Sequence, residues 1–316
     1  MIRQALLCGR GKPAKLAIIF INYFSEKNLQ DILEVSRVDW MLNFSKNRPA
    51  FTKHIIRTLH EGNLHDPVFP KGITNSSSTS AVLFLLGPQC HEREFSPDPC
   101  LILNKRSTKV KQPGDLCCPG GSVSSRLDFY LAKLLYLPGS PLTRWPFWSR
   151  WRKQRHQDAQ SLALLFATSL RESFEEMRLN PLGLKFLGPL PSQRLVMFRK
   201  VIYPMVCWIS HQKRFFPNWE VEKVVYVPLQ SLLNPLKYAR YQLNIKRPRE
   251  TGKNTSIEDF PCFLHEHNDE SEVLWGATFR ITMVFLEIVF GFRPPDIESL
   301  PVVHGTLDEN YLTGNG

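Results

Sequence analysis

Residues 169–179 read SLRESFEEMRL and place three carboxylates, Glu172, Glu175 and Glu176, within five residues of Arg171. On a helix Glu172 and Glu176 share a face one turn apart, with Glu175 beside them. Three ionised carboxylates so close repel one another, and the arrangement is costly unless a cation or water offsets it. Hard divalent cations such as Mg2+ or Mn2+ take oxygen ligands of this kind, and Mg2+ commonly shares its coordination with substrate phosphates. Arg171 lies four residues before Glu175, close enough to orient that carboxylate. The same residues also read as a solvated helix face with one i,i+4 Arg–Glu pair.

These side chains need a scaffold, and the flanking sequence describes one. Leu162, Leu165, Phe166, Leu170, Phe174 and Met177 recur at spacings of three and four, which predicts a helix from about Ser161. It should stop near Asn180-Pro181, because proline cannot extend it. Upstream, residues 81–87 and 100–107 read as buried strands, followed by a short strand at 115–118 and a Pro119-Gly120-Gly121 loop. Strand-like runs follow the helix at 184–190, 201–209 and 222–229, with a short helix or turn at 230–236. Residues 273–292 read as a helix, and Arg280 and Glu287 within it favour a core helix over a membrane span. Residues 122–160 look like an excursion between loop and helix. There Trp145, Trp148 and Trp151 interleave with Arg144, Arg150, Arg152, Lys153 and Arg155. Such a mixture can stack bases and bind a phosphate backbone, and equally suits a lid, a membrane-surface contact or a subunit interface; its place in the loop that leads into the helix favours a lid or an interface over nucleic acid.

The Gly-Gly loop ahead of a helix bearing RESFEE resembles the Nudix hydrolase signature, G-x5-E-x7-R-E-U-x-E-E-x-G-U with U apolar. Three further stretches resemble the coenzyme A pyrophosphatase-like branch of that family. They are LILNKRSTKVKQPGDLCCPGG (101–121), EVEKVVYVPLQSLL (220–233) and LWGATFRI (274–281). The matches are collinear over residues 80 to 292. The resemblance implies an α/β Nudix fold, an α/β/α sandwich around a mixed β-sheet. It would span 80–295, with the insertion at about 122–160, an N-terminal extension at 1–79 and a tail at 296–316.

The resemblance also implies an activity: metal-dependent hydrolysis of a nucleoside diphosphate derivative, with CoA or acyl-CoA first among substrates. Glu172, Glu175 and Glu176 would hold Mg2+ or Mn2+, Arg171 would serve the catalytic helix, and Glu220 would act as general base. Gly120, Gly121, Arg106 and Lys105 would meet the substrate. The sequence departs from the pattern at several points. Arg171 follows Gly121 by 50 residues where the pattern has 14, so 36 residues are inserted. Leu127 stands where the pattern has a carboxylate, with Asp128 next to it; Ser173 takes an apolar place and Arg178 the late glycine. The segment between Arg106 and Gly114 is one residue short. A catalytically impaired Nudix-like module binding nucleotide or nucleic acid is therefore the alternative expectation.

The whole-chain numbers suit either reading. With 316 residues and 43% hydrophobic composition there is material for one large domain with appendages. A net charge of +11 points to an anionic partner, for which a phosphorylated small molecule suffices. Seven cysteines without a CxxC pair exclude a zinc ribbon and a disulfide framework, and fit a reducing cytoplasm. The apolar run Leu16 to Phe24 is too short to cross a bilayer, so neither a span nor a signal peptide is expected. A homodimer is compatible with the sequence.

Overall fold

Six consecutive apolar residues, Ala81 to Leu86, leave a strand no polar face, so it must lie inside a sheet covered on both sides. A computed structural model describes residues 47–62, 68–69, 78–90, 95–124, 126–195, 200–210, 212, 214–246, 255–267, 270–307 and 311. The chain divides into two units, Met1–Phe44 and Ser45–Gly316, and all described residues belong to the second. The apolar run 16–24 and most of the polar tract at 72–80 lie outside the described residues.

Helix α1 (Arg48–Gly62) precedes β1 (Thr79–Cys90), β2 (Phe95–Arg106), β3 (Leu116–Cys117) and β4 (Gly120–Ser122). Residues 122–155, where the resemblance implies an insertion, form α2 (Leu127–Leu134) and α3 (Trp148–Gln154), and the long helix α4 (His156–Met177) follows. Next come β5 (Leu184–Pro189), β6 (Gln193–Leu195), β7 (Lys200–Ile209), β8 (Val221–Pro228) and the single turn α5 (Leu229–Leu232). The chain then makes β9 (Tyr238–Lys246), β10 (Thr255–His267), β11 (Glu270–Leu274), α6 (Gly276–Phe290) and β12 (Val302–Leu307).

The first sheet runs β3-β2-β1-β7-β5, with β4 also paired to β1, β6 to β7 and β8 to β2. Only β1 and β7 are parallel in it, so the sheet is mixed. Side-chain alternation separates its faces. Phe84 and Leu86 stand in register with Val206 and Trp208 and share one face. There Phe84 meets Phe285 of α6 at 4.5 Å, and Trp208 meets Phe51 of α1 at 6.1 Å. Phe186 pairs with Cys207 on the opposite face and meets Phe166 of α4 at 4.7 Å. The order is thus helices, mixed sheet, helix: the α/β/α arrangement expected from the sequence. A second sheet, β11-β10-β9-β12, is antiparallel except for the parallel β9–β12 pair. Among the described residues no helix is long and apolar enough to cross a membrane.

Two elements differ from expectation. Helix α4 starts at His156, five residues before Ser161, because its first turn is polar and carries no apolar period. That turn is anchored by buried Asp158, whose carboxylate accepts from Phe69 N at 3.3 Å. The segment given above only as a tail, 296–316, supplies β12 and the buried Tyr311. Strand β12 has no apolar face to announce it; its pairing with β9 is a backbone matter.

Candidate active site

Residues on either side of 122–160 meet at one place. Strand β4 pairs with β1, Ala81 opposite Gly121 and Val82 opposite Gly120, and Leu83 N donates to Pro119 O at 2.8 Å. Gly120 has φ +144°, a region closed to side chains, and a Cβ there would collide with Ala81 O and lie 2.6 Å from Val82 Cα. At Gly121 the obstacle is different: a Cβ would lie 2.5 to 2.7 Å from the Glu172 carboxyl atoms. The backbone N–H of Gly120 donates to Glu176 Oε2 at 3.2 Å. Two glycines therefore let the α4 carboxylates rest directly on the β4 backbone.

Helix α4 ends where it must for this contact. Arg178 takes the left-handed conformation at φ 56° and ψ 40°; its N–H donates to Phe174 O and that of Leu179 to Ser173 O, a Schellman-type stop without glycine. The last-turn carbonyls of Glu176 and Met177 accept from Asn218 N at 2.7 Å and Phe216 N at 3.0 Å. This ties the loop before β8 to the helix end. On its other side Ser107 N donates to Glu220 O at 2.9 Å, and Ser107 Oγ donates to Trp219 O at 2.8 Å. Glu220 is held between the end of β2 and the end of α4, where its charge raises the pKa of Glu176.

Arg171 organises the other carboxylates. Its Nε donates to Asp128 Oδ1 at 2.7 Å, and its Nη2 donates to Glu172 Oε1 at 2.9 Å and Ser122 O at 3.3 Å. Its Nη1 donates to Glu175 Oε2 at 3.1 Å. Asp128 is fully buried and also accepts from Ser124 N at 2.6 Å and Thr168 Oγ1 at 2.8 Å. Despite the one-residue offset, this acid is the partner of Arg171.

Burial pushes Glu176 up to about 8, against the Gly120 N–H, with Glu172 and Glu220 adding to the rise. Glu172 is also raised by burial, while Arg171 pulls it down. Asn104, inside β2, donates through Nδ2 to Glu176 Oε2 at 2.9 Å, and its own buried Oδ1 has no partner. Among the described residues no three His, Cys, Asp or Glu side chains converge on one point, since Arg171 draws Glu172 and Glu175 to itself. The donor set nonetheless fits a hard divalent cation: carboxylates only, two of them desolvated in a way a cation would offset, beside an orphaned amide oxygen.

The structure thus brings Arg171, Glu172, Glu175, Glu176, Gly120, Gly121 and Glu220 together. Arg106, at the end of β2, donates through Nε to Lys111 O at 2.7 Å, and its charge reaches Glu176. Lys105 points to the other face of β2 and pairs with Glu222 at 3.2 Å and Glu272 at 3.1 Å. Asn104 was not expected. A single amide in the apolar run of β2, on the face turned to α4, is the signal that marks it. The tryptophans of the insertion are buried: Trp145 meets Trp151 at 5.2 Å and Phe186 at 5.3 Å. Trp145 also donates to Leu187 O of β5 at 3.2 Å, so these rings seat the segment on the first sheet and offer no open stacking surface.

No family model matches the chain, and no curated protein matches it. Solved structures do show a likeness. A Nudix hydrolase from M. smegmatis, RenU, aligns at 13% identity over 48% of this chain and 71% of its own, with a TM-score of 0.29. A C. elegans Ap4A hydrolase aligns at 11% over 49% and 83%, with a TM-score of 0.32. The NUDIX domain of Shewanella oneidensis NrtR, in complex with ADP ribose, aligns at 15% over 55% and 84%, with a TM-score of 0.30.

Proposed function

We propose that residues 80–295, interrupted by the insertion at about 122–160, are a Nudix-type hydrolase domain. It would cleave the pyrophosphate bond of a nucleoside diphosphate derivative using Mg2+ or Mn2+, with CoA or an acyl-CoA as the first substrate class. One observation carries this reading. Gly120 and Glu176 are bonded across 56 residues of chain, so the split signature is rejoined in space.

In this reading Glu172, Glu175 and Glu176 hold the metal, and Arg171 orients Glu172 and Glu175 from its fixed place on Asp128. A divalent ion bound there would neutralise diphosphate oxygens and make a bound water more acidic. Glu220 accepts the proton of the attacking water as general base. The backbone of Gly120 and Gly121, on which Glu176 and Glu172 rest, meets a phosphate only where those carboxylates turn away from it. Arg106 faces the substrate's charge, and Lys105 joins it only by leaving Glu222 and Glu272.

The test is turnover of CoA, NADH, ADP-ribose and dinucleoside polyphosphates with Mg2+ or Mn2+, beside a Glu175→Gln, Glu176→Gln double variant. Metal-dependent cleavage of at least one substrate is expected, about 100-fold slower in the double variant. If no member of the panel is cleaved while RNA or DNA binds without metal, the hydrolase reading fails and the binding-module alternative stands.

A further inference from the structure

The first helix of the insertion is turned inside out for a surface in water. In α2, Asp128 and Ala132 face α4 and are buried, as is Leu135 just beyond it. The outward face carries Leu127, Tyr130 and Leu134, continued by Leu137, at spacings of three, four and three, which make one stripe. Tyr130 is 66% exposed, Leu134 and Leu137 each 56%, and Phe129 beside them is exposed too. Single exposed apolar residues are ordinary; five on one short helix and its extension are not.

The segment's own charge is almost all of one sign, while Glu172 and Glu175 of α4 are drawn to Arg171. Residues 122–157 hold seven Lys and Arg but a single acid, Asp128, and that acid is buried against Arg171. Lys133 Nζ lies 4.7 Å from the Phe129 ring centroid and 5.5 Å from that of Tyr130. Arg152 of α3 lies over Tyr136 at 5.4 Å, which brings the basic face of α3 to the end of the stripe. An apolar stripe with a cationic rim complements an anionic bilayer surface, where side chains enter the acyl boundary and the rim meets headgroups. Pairing with a second copy through the same face would set two cationic rims against each other.

We propose that the insertion is a membrane-surface contact, with α2 lying in the plane of an anionic lipid leaflet. The inference is independent of the hydrolase reading, although α2 also carries the aspartate that holds Arg171.

The test uses the full chain and phosphatidylcholine vesicles with and without about 30 mol% phosphatidylserine. Co-sedimentation is expected only with the anionic vesicles and should weaken as salt rises. A Tyr130→Ser, Leu134→Ser, Leu137→Ser variant should bind about 10-fold more weakly or worse, with its circular dichroism unchanged, since all three side chains are exposed. Lys133→Glu, which removes no apolar contact of the core, should weaken binding as well. Failure of the wild-type chain to sediment, or sedimentation unaffected by either variant, overturns the proposal. So does a lipid-free dimer, or RNA binding, that the same substitutions abolish.

Discussion

Gly121 carries no side chain because the Glu172 carboxyl already occupies the space one would take. The neighbouring glycine answers to another constraint, a left-handed backbone pressed on β1. The two should therefore respond differently to the same substitution. Gly121→Ala pushes Glu172 off its seat while leaving the strand paired, so the proposed hydrolysis should fall about 10-fold or more with a melting temperature close to wild type. Gly120→Ala must distort β1 itself and should lower the melting temperature as well. At the far end of α4, Arg178 holds a left-handed conformation at about 1–2 kcal/mol of strain. Its guanidinium recovers part of that over the exposed Phe174 ring, 5.1 Å away, an interaction of about 0.5–1 kcal/mol. Arg178→Gly should stabilise the protein by about 0.5 kcal/mol, read from urea unfolding midpoints.

At the scale of elements, the joint that matters is α2 on α4. A buried carboxylate that accepts four hydrogen bonds, two of them from one guanidinium, costs most when that joint is broken. Asp128→Ala should cost about 3–5 kcal/mol in urea unfolding and leave Arg171 to its two glutamates. Glu175→Ala, which removes a carboxylate that is itself half exposed, should cost under about 1 kcal/mol. A second joint connects α1 to the insertion: His60 stacks on Phe147 with ring centroids 3.5 Å apart. Burial, with Arg150 and Arg155 nearby, lowers the His60 pKa below its usual 6.5, so the folded state disfavours the charged ring. The sign follows from that. The unfolded chain takes up the proton first, and this contribution is present above pH 6.5 and lost as the pH falls through the lowered value. His60→Phe should flatten the acid side of the stability profile, measured as urea midpoints above and below pH 6.5.

For the molecule as a whole, the C-terminal residues reach back to the loop that leads into the glycines. Tyr311 donates its hydroxyl to Asp115 Oδ2 at 2.5 Å, Trp275 Nε1 donates to Asp115 Oδ1 at 3.0 Å, and Gln112 N donates to Tyr311 O at 2.9 Å. Tyr311→Phe leaves a part-buried carboxylate short of a donor and should destabilise by about 1 kcal/mol, visible as a lower melting temperature. Nothing in the sequence marks Tyr311, because a lone aromatic in a polar tail has no periodicity to reveal it. The central layer was legible for the opposite reason: continuous apolar runs such as Ala81 to Leu86 and Val201 to Ile209 admit only buried strands. The carboxylate helix showed through its apolar period, and the glycines through their position ahead of it. Asn104 and the role of Asp128 did not, since both depend on partners distant in sequence that only the folded chain supplies.

The inserted residues also bear on how easily the two halves of the candidate site find each other. Lengthening the connection between Gly121 and Arg171 from 14 to 50 residues raises the chain-closure entropy by only about 1 kcal/mol, since that cost grows with the logarithm of length. One charge-assisted bond such as Arg171 to Asp128 contributes about 1.5–3 kcal/mol. A segment that brings its own clasp can therefore be accommodated between the two halves of the candidate site at almost no thermodynamic penalty.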